Sequence, residues 1–405
     1  MKKRYLSAAL ALAMVLTMAG CSGGGNSSTP AQSSGGNSST PAASGSQASG
    51  EITAKSDTIK IGLVAPLSGN NATYGVKQEN GYRLAMDEIN ANGGIYGAQL
   101  VLETYDDAGD PATAASGTQK FADDDEVMVM GGCCLTSCTA AMLPISGDAG
   151  LPEMVVSSSA ASLLGLSDYF FRMAVQDAQV GPNIARNFKS MGFTKAVALY
   201  PNNDYGIGLK ESFVEEFSNG GEVLAAIEYQ ATDQDFSAIL TNVKSMNPEC
   251  LALCGTTTDS ALLIKQARQM GIEAVIMGPP GVYNQNIIDI ASSASEGILA
   301  VGAFVANDPD ERVQQFVSSY KAKYDEVPDH FAALAYDQMY VIAEAAARAM
   351  EANDGELTRA TMAEGLRASN YDGITGTVTF NEDGEWIRDY LVLTVKDGEY
   401  VRYEG

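Results

Sequence analysis

The stretch GGCCLTSCT (131–139) brings together three thiols and the hydroxyls of Thr136 and Ser137. It follows directly on the apolar run Val127–Met130, which predicts a buried strand, so the stretch should be a loop at the end of that strand. Thiols in such a loop could form a metal or redox site. The hydroxyls could instead form the rim of a ligand pocket.

The three thiols belong to Cys133, Cys134 and Cys138. A zinc site needs four protein ligands, or three and a water, and the only histidine of the chain, His330, lies far away in the sequence, where we expect a surface residue at a helix start. After Cys21 five cysteines remain, and an odd number with clustered spacing is not typical of a disulfide framework. We therefore predict buried packing residues, no metal and no cofactor, with a local Cys134–Cys138 disulfide as the alternative.

A second group of hydroxyls, Ser157, Ser158 and Ser159, follows the next predicted strand. Because ligands of parallel sheets bind beyond the carboxyl ends of the strands, both groups should lie at one binding edge. A helix that begins there offers free N–H groups and partial positive charge, so hydroxyls beside it can hold a carboxylate without an arginine. The alternative is that Thr136 and Ser137 only cap their helix.

Catalytic motifs are missing from the sequence. A Ser-His-Asp constellation would need His330, and no G-x-S-x-G motif precedes it. The glycine-rich fingerprints of nucleotide sites are absent as well, since GIGLKE (206–211) matches only their first half. We therefore predict that the protein is not an enzyme.

Strands and helices alternate from residue 58 onwards. The first series opens with the apolar strand TIKIGLVAP (58–66) and includes a helix that Asp110 and Pro111 should begin, as N-cap and first-turn proline. A second series of like order opens with AVALY (196–200). Similar loops follow the two opening strands, GNNATYG (69–75) and PNNDYG (201–206). This pattern predicts an α/β protein with two similar Rossmann-like lobes, each a parallel sheet flanked by helices.

The N-terminal residues have the pattern of an export signal. Three basic residues precede a short apolar run that ends in small residues just before Cys21. We predict a lipoprotein signal peptide over 1–20, lipidation of Cys21, and a disordered Ser/Gly/Pro-rich tether over 21–56. No later stretch is apolar enough to span a membrane.

The chain is strongly acidic, with a formal net charge of −25. Such a charge repels phosphate backbones, so nucleic acid is excluded as a partner. We expect a monomeric domain held outside the cytoplasm by its lipid anchor.

Taken together in order, several stretches resemble the solute-binding proteins of branched-chain amino acid ABC transporters, which have the type I periplasmic-binding-protein fold. The resemblance runs over roughly residues 58 to 395. Its clearest stretches are IKIGLVAPLSG (59–69), NGYRLAMDEINANGGIYG (80–97), YDDAGDP (105–111), ALAYD (333–337) and FNEDGE (380–385).

This resemblance implies two lobes joined by three crossovers. Lobe 1 would comprise 58–176 plus 307–371, and lobe 2 would comprise 177–306 plus 372–405. The implied function is capture of a small amino acid or related carboxylate in the cleft between the lobes, and its delivery to permease and ATPase subunits without chemistry on the ligand. A sensing module that presents the bound solute to a membrane receptor is the alternative.

The resemblance also assigns site residues. The carboxylate-binding hydroxyl of the family falls on Thr136, beside Ser137, and the contacts of the following loop fall on Ser157 and Ser159. Cleft aromatic residues fall on Tyr74 and Tyr205, and a further aromatic position of amino acid binders falls on Thr257.

One departure from the family pattern concerns the ligand's ammonium group. Pro280, in GPPGVYN (278–284), stands where amino acid binders often have a glutamate, and Tyr283 could line the altered side. A buried ammonium needs a paired charge or several acceptors. Asp177 and Asp259 could supply it, or could merely cap their helices, so the identity of the ligand stays open.

Overall fold

The protein is described by a computed structural model that covers residues 52–404, except 175, 387 and 389. The predicted signal peptide, the lipidation site Cys21 and most of the predicted tether lie outside the described residues. Within them, no helix combines the length and the apolarity that crossing a membrane requires.

The first lobe is built on a five-stranded parallel sheet with the strand order β2-β1-β3-β4-β5. Helices connect the first four strands, as the alternating sequence pattern predicts. The elements are β1 (Thr58–Ala65), α1 (Ala72–Ala91), β2 (Gln99–Asp106), α2 (Pro111–Ala122), β3 (Val127–Gly131), α3 (Thr136–Asp148), β4 (Glu153–Val155) and β5 (Phe170–Arg172). The start of α2 confirms its prediction, because the Asp110 side chain accepts from the Thr113 amide and Pro111 is the first helical residue.

The second lobe is built on a seven-stranded sheet with the order β14-β13-β10-β9-β8-β6-β7. Strands β6 to β10 are parallel, and the last two strands of the chain add an antiparallel edge. The elements are α4 (Asp177–Ser190), β6 (Lys195–Pro201), α5 (Asp204–Ser218), β7 (Glu222–Tyr229), α6 (Ser237–Met246), β8 (Cys250–Leu253), α7 (Thr257–Gln269), β9 (Val275–Gly278), α8 (Gln285–Ala291), β10 (Leu299–Gly302), β13 (Leu391–Lys396) and β14 (Glu399–Arg402). The predicted fold class, two parallel α/β lobes, is confirmed.

The segment between β10 and β13 holds three helices and a small hairpin. They are α9 (Glu311–Tyr324), α10 (His330–Ala352), α11 (Arg359–Arg367), β11 (Tyr371–Gly373) and β12 (Gly376–Val378). Helix α10 packs along α1, where the Tyr82 hydroxyl donates to Gln338, so this helix belongs to the first lobe. Because β13 returns to the second sheet, the chain passes between the lobes three times.

The passages between lobes are held by buried contacts. Arg172, at the end of β5, is fully buried and pairs with Glu385, which also accepts from the Gln176 amide group. Trp386 packs in the hydrophobic cluster of the first lobe, ahead of the start of β13. The residue-level lobe boundaries given above stay a prediction.

Candidate ligand-binding cleft

A cavity of about 340 Å³ lies between the two lobes, where the carboxyl ends of both parallel sheets face each other. Among the described residues, neither lysine nor arginine lines it. The lining residues are Asn70, Asn71, Tyr74, Cys134, Leu135, Thr136, Ser137, Val156, Ser157, Ser159, Ala174, Asp177, Val180, Asn203, Asp204, Tyr205, Ala231, Thr232, Gln234, Thr256, Thr258, Pro280, Gly281, His330 and Phe331.

The hydroxyls predicted to hold a carboxylate lie on the first-lobe wall of this cavity. Thr136 is the first residue of α3, and the helix has Leu135 at its N-cap with no side-chain cap. Since no described side chain caps this helix, the amide groups of its first turn are available to a ligand. In the next loop, the Ser157 hydroxyl donates to the Cys134 carbonyl at 3.0 Å, whereas the Ser159 hydroxyl has no partner among the described residues.

Ser158 does not line the cavity, although its two neighbours do. Its hydroxyl donates to the Cys133 carbonyl at 2.9 Å and lies 2.7 Å from the Thr139 hydroxyl. Ser158 is buried inside the protein, whereas Ser157 and Ser159 face the cleft. Ser158 thus fastens the two loops of the site to each other.

Asp177 lies on the second-lobe side of the cavity as the first residue of α4. Its side chain is only 3 % exposed, and neither carboxyl oxygen has a hydrogen-bond partner among the described residues. Burial raises the pKa of Asp177 to about 7, an effect that the nearby Ser159 hydroxyl and the Arg172 guanidinium only partly offset. The cavity thus contains an acid whose charge the surrounding protein leaves without a direct partner.

Asp259, the other predicted ammonium partner, lies outside the cavity wall and is fully engaged. One oxygen accepts from the Thr256 hydroxyl at 2.6 Å, and the other accepts from the Tyr229 hydroxyl. These bonds lie in the first turn of α7, where Asp259 is the third helical residue and not the N-cap. Asp259 consequently has little capacity left for a ligand.

Tyr74 joins the two lobes across the cleft. Its hydroxyl accepts from the Thr257 amide at 2.7 Å and lies 2.9 Å from the Thr257 hydroxyl, which donates to the Gly281 carbonyl at 2.7 Å. A Cβ atom on Gly281 would come within 2.9 Å of the Tyr74 hydroxyl, so a glycine permits this close approach. Thr257 is therefore placed behind the cavity wall as the partner of Tyr74, and the lobes are in contact.

The other predicted residues of the second lobe divide into two groups. Tyr205, in the first turn of α5, and Pro280 both line the cavity, as does Asn203, whose side chain caps α5 by accepting from the Gly206 amide at 2.9 Å. Tyr283 does not line it, because its ring is buried edge-on against Tyr400 with the ring centroids 4.9 Å apart.

His330 lines the cavity and is buried, so the expectation of a surface residue is wrong. Its Nδ1 accepts from the Ala303 amide at 3.0 Å, which places the ring proton on Nε2. Burial lowers the pKa of His330 to about 3, with a smaller contribution from Arg388, so the ring is neutral at physiological pH. The ring is thus a neutral part of the wall.

Several lining residues were not among the predicted site residues. Asn70, Asn71 and Asn203 belong to the two similar Asn-Asn loops after β1 and β6, so the repeated loop motif was a signal for them. For Phe331 the sequence holds no such signal. This ring packs edge-on against Tyr74 at 4.9 Å between centroids, a contact between residues far apart in the chain.

The architecture is that of a binding protein: two α/β lobes closed on a cavity lined by hydroxyls, amides and the buried carboxyl of Asp177. A family profile described as "Periplasmic binding protein" matches residues 58–399. The chain therefore belongs to the periplasmic binding protein family.

Individual relatives agree with this assignment. The leucine-, isoleucine-, valine-, threonine-, and alanine-binding protein of Pseudomonas aeruginosa is 32% identical over 356 residues, covering 84% of this chain and 93% of the relative. The branched-chain amino acid transporter substrate binding protein LivJ from Streptococcus pneumoniae, solved in complex with isoleucine, is 30% identical with a TM-score of 0.79, covering 85% of this chain and 100% of LivJ.

A third comparison shows the fold alone. A solute binding protein of an ABC transporter from R. palustris, solved in complex with benzoate, has a TM-score of 0.78 at 22% identity, covering 85% of this chain and 95% of that chain. Proteins that share this fold thus differ in whether their ligand carries an ammonium group.

Proposed function

We propose that this protein is an extracytoplasmic solute-binding lipoprotein, anchored through Cys21, that captures a small zwitterionic amino acid and delivers it to an ABC importer. The family and the relatives support the binding-protein class and the importer as partner. The choice of ligand class rests on the charges in the cleft. If the amino acid is deaminated, the ligand loses its ammonium group, which is the group that the charges in this cleft are best suited to hold.

The carboxylate end of the ligand is assigned to the first lobe. The N-terminus of α3, with Thr136 and Ser137, offers amide and hydroxyl donors, and the Ser159 hydroxyl has no hydrogen-bond partner among the described residues. Donors of this kind bind an anion without a full positive charge, because the helix end supplies a partial one.

The ammonium end of the ligand is assigned to Asp177. The buried carboxyl of this residue, without a hydrogen-bond partner among the described residues, is the main support for the proposal. A buried carboxylate without a partner is costly, and an ammonium group of the ligand would supply both its charge and its missing hydrogen bonds. Asp259 is already engaged by two hydroxyls, and Pro280 has no charge to offer. A plain carboxylate ligand would leave Asp177 unpaired.

Closure of the lobes is the proposed mechanism of capture. The ligand would first contact one lobe and then bridge to the other, so that binding stabilises the closed arrangement that Tyr74 and Thr257 also stabilise. Closure removes the ligand from water, which strengthens its contacts with Thr136 and Asp177.

The experiment is a calorimetric comparison of matched ligands. Amino acids found by a thermal-shift screen are titrated against their deaminated carboxylic acids and against benzoate. The proposal expects an amino acid to bind far more tightly than its deaminated counterpart. Tight binding of benzoate or a deaminated acid, with no response to any amino acid, would contradict it.

A double substitution tests the carboxylate end. Thr136→Ala together with Ser159→Ala should weaken binding by about 2–4 kcal/mol, since two hydrogen bonds to a charged group are lost. Ser116→Ala is the control, because the Ser116 hydroxyl is exposed on α2, bonds the Ala112 carbonyl of its own helix and does not line the cavity. Unchanged affinity of the double variant would refute the carboxylate assignment.

A further inference from the structure

A second cluster of reactive side chains lies inside the first lobe, apart from the cavity wall. Asp107 directly follows β2, Cys133 follows β3, and Cys138 is in the first turn of α3. One carboxylate oxygen of Asp107 and the two sulfurs all lie within 4.8 Å of one another. The three side chains are fully buried, at 0 % exposure.

Asp107 is the unusual member of this cluster. Its Oδ1 accepts from the Gly109 amide at 2.7 Å, but its Oδ2 has no hydrogen-bond partner among the described residues. Among those residues, no lysine or arginine forms an ion pair with it either. A buried carboxylate in this situation is stabilised by a bound cation, or else it takes up a proton.

The neighbouring thiols can complete a site for such a cation. The Leu135 amide donates to the Cys133 sulfur at 3.4 Å, and the Gly109 amide fixes Asp107, so backbone groups already orient two of the three atoms. Outer contacts of this kind are typical of metal sites, where they hold the ligating atoms in place.

We propose that Asp107, Cys133 and Cys138 form a binding site for a thiophilic divalent cation, with Zn²⁺ as the physiological candidate and a water as fourth ligand. Two sulfurs and one carboxylate oxygen are donors that zinc accepts. Zinc ligands at about 2.0–2.3 Å from the metal lie roughly 3.5–4 Å from one another, so the three atoms need only a small contraction to bind it.

The cation would also stiffen the ligand-binding loop. Cys133 and Cys138 flank Thr136 in the sequence, and Asp107 belongs to a different loop. A metal held by all three would tie the end of β2 to the start of α3. This inference is separate from the proposed function, because metal binding is measured without any amino acid ligand.

The test uses the full chain, freed of metal by a chelator and titrated with Zn²⁺, and with Cd²⁺ as an optical probe of thiolate coordination. The wild-type protein should bind one equivalent of either ion, with a thiolate-to-cadmium absorption band and a raised unfolding temperature. Asp107→Asn should weaken binding about tenfold or more, and Cys138→Ala should abolish the absorption band. Cys250→Ala, which removes a buried thiol of the second lobe, is the matched control and should bind as the wild type does.

Three results would overturn the proposal. The first is wild-type protein that binds neither ion. The second is binding by Cys138→Ala equal to that of the wild type, which means an adventitious ion only. The third is a Cys133–Cys138 disulfide in protein isolated without reductant, found by peptide mass mapping. If circular dichroism shows that Cys138→Ala does not fold, the metal affinity of the nearly isosteric Asp107→Asn variant decides between the outcomes on its own.

Discussion

Replacing Asp177 with asparagine should weaken the binding of an amino acid without destabilising the unliganded protein. The asparagine keeps the size of the side chain and loses its charge. Among the described residues of the unliganded protein, neither carboxyl oxygen has a hydrogen-bond partner, so the substitution breaks no bond of that kind. In the liganded protein the ammonium group would lose the buried counter-charge of the cavity wall, since Asp204, the other acid that lines the cavity, is exposed.

The expected loss follows from the burial of the site. Removing one partner of a buried ion pair costs about 3–5 kcal/mol, because the other charge is left unpaired. This corresponds to about two to four orders of magnitude in Kd. The deaminated acid has no ammonium group, so the same substitution should leave its weak binding unchanged or improve it.

The pH dependence gives an independent check on the same residue. The pKa of unliganded Asp177 is about 7, so below that pH the carboxyl is increasingly neutral and the affinity for an ammonium-bearing ligand falls by up to about tenfold per pH unit. His330, with a pKa of about 3, does not titrate in this range. Affinity should therefore rise from about pH 5 to pH 7 and then level off, and Asp177→Asn should remove the rise.

The free energy of unfolding of the unliganded protein should fall as the pH rises, in contrast to the ligand affinity. Because folding raises the pKa of Asp177 from 3.8, the folded state keeps a proton that the unfolded state releases. The difference in pKa therefore stabilises the folded protein below about pH 4. This contribution to the free energy of unfolding, roughly 3–5 kcal/mol, is lost as the pH rises towards 7. Calorimetric titrations and urea unfolding at several pH values measure both effects. A wild-type affinity that falls with rising pH, or an unchanged affinity in Asp177→Asn, would refute the reasoning.

Two further substitutions test the closed arrangement and the hinge. Tyr74→Phe keeps the contact of the ring with Phe331 but removes the hydrogen bonds to Thr257. The free energy of ligand binding, measured by calorimetry, should therefore weaken by about 1–2 kcal/mol. An unchanged Kd would mean that this hydroxyl does not hold the lobes together. Arg172→Met leaves Glu385 buried without its charge partner and should lower the free energy of unfolding in urea by about 3–5 kcal/mol. Arg83→Met, which breaks the more exposed ion pair with Glu79, is its control and should lose less than about 1 kcal/mol. Equal losses in the two variants would contradict the importance of burial.

Features fixed by neighbouring residues could be predicted from the sequence. The Asp110 cap and Pro111 set the start of α2 through contacts within one turn, and the apolar run of β1 marks a buried strand. The short β5 (Phe170–Arg172) was not predicted, because three residues carry no detectable period. Helix α8 was missed as well, since its seven residues are few for a helical pattern.

Features that depend on distant residues could not be predicted in this way. From the sequence, both Asp177 and Asp259 could be the ammonium partner. Only the packing shows that Asp259 is bonded to Tyr229 and Thr256, whereas Asp177 has no hydrogen-bond partner for its carboxyl among the described residues. The burial of His330 depends on its contact with Ala303, which lies in another element.

The most direct test of the central claim is a crystal structure of the protein with the amino acid that binds it most tightly. The account predicts the ligand's ammonium nitrogen at about 3 Å from the Asp177 carboxylate and its carboxylate against the N-terminus of α3, beside Thr136. A ligand that turns its carboxylate or its apolar side chain towards Asp177, or that lies outside the cleft, would contradict the account.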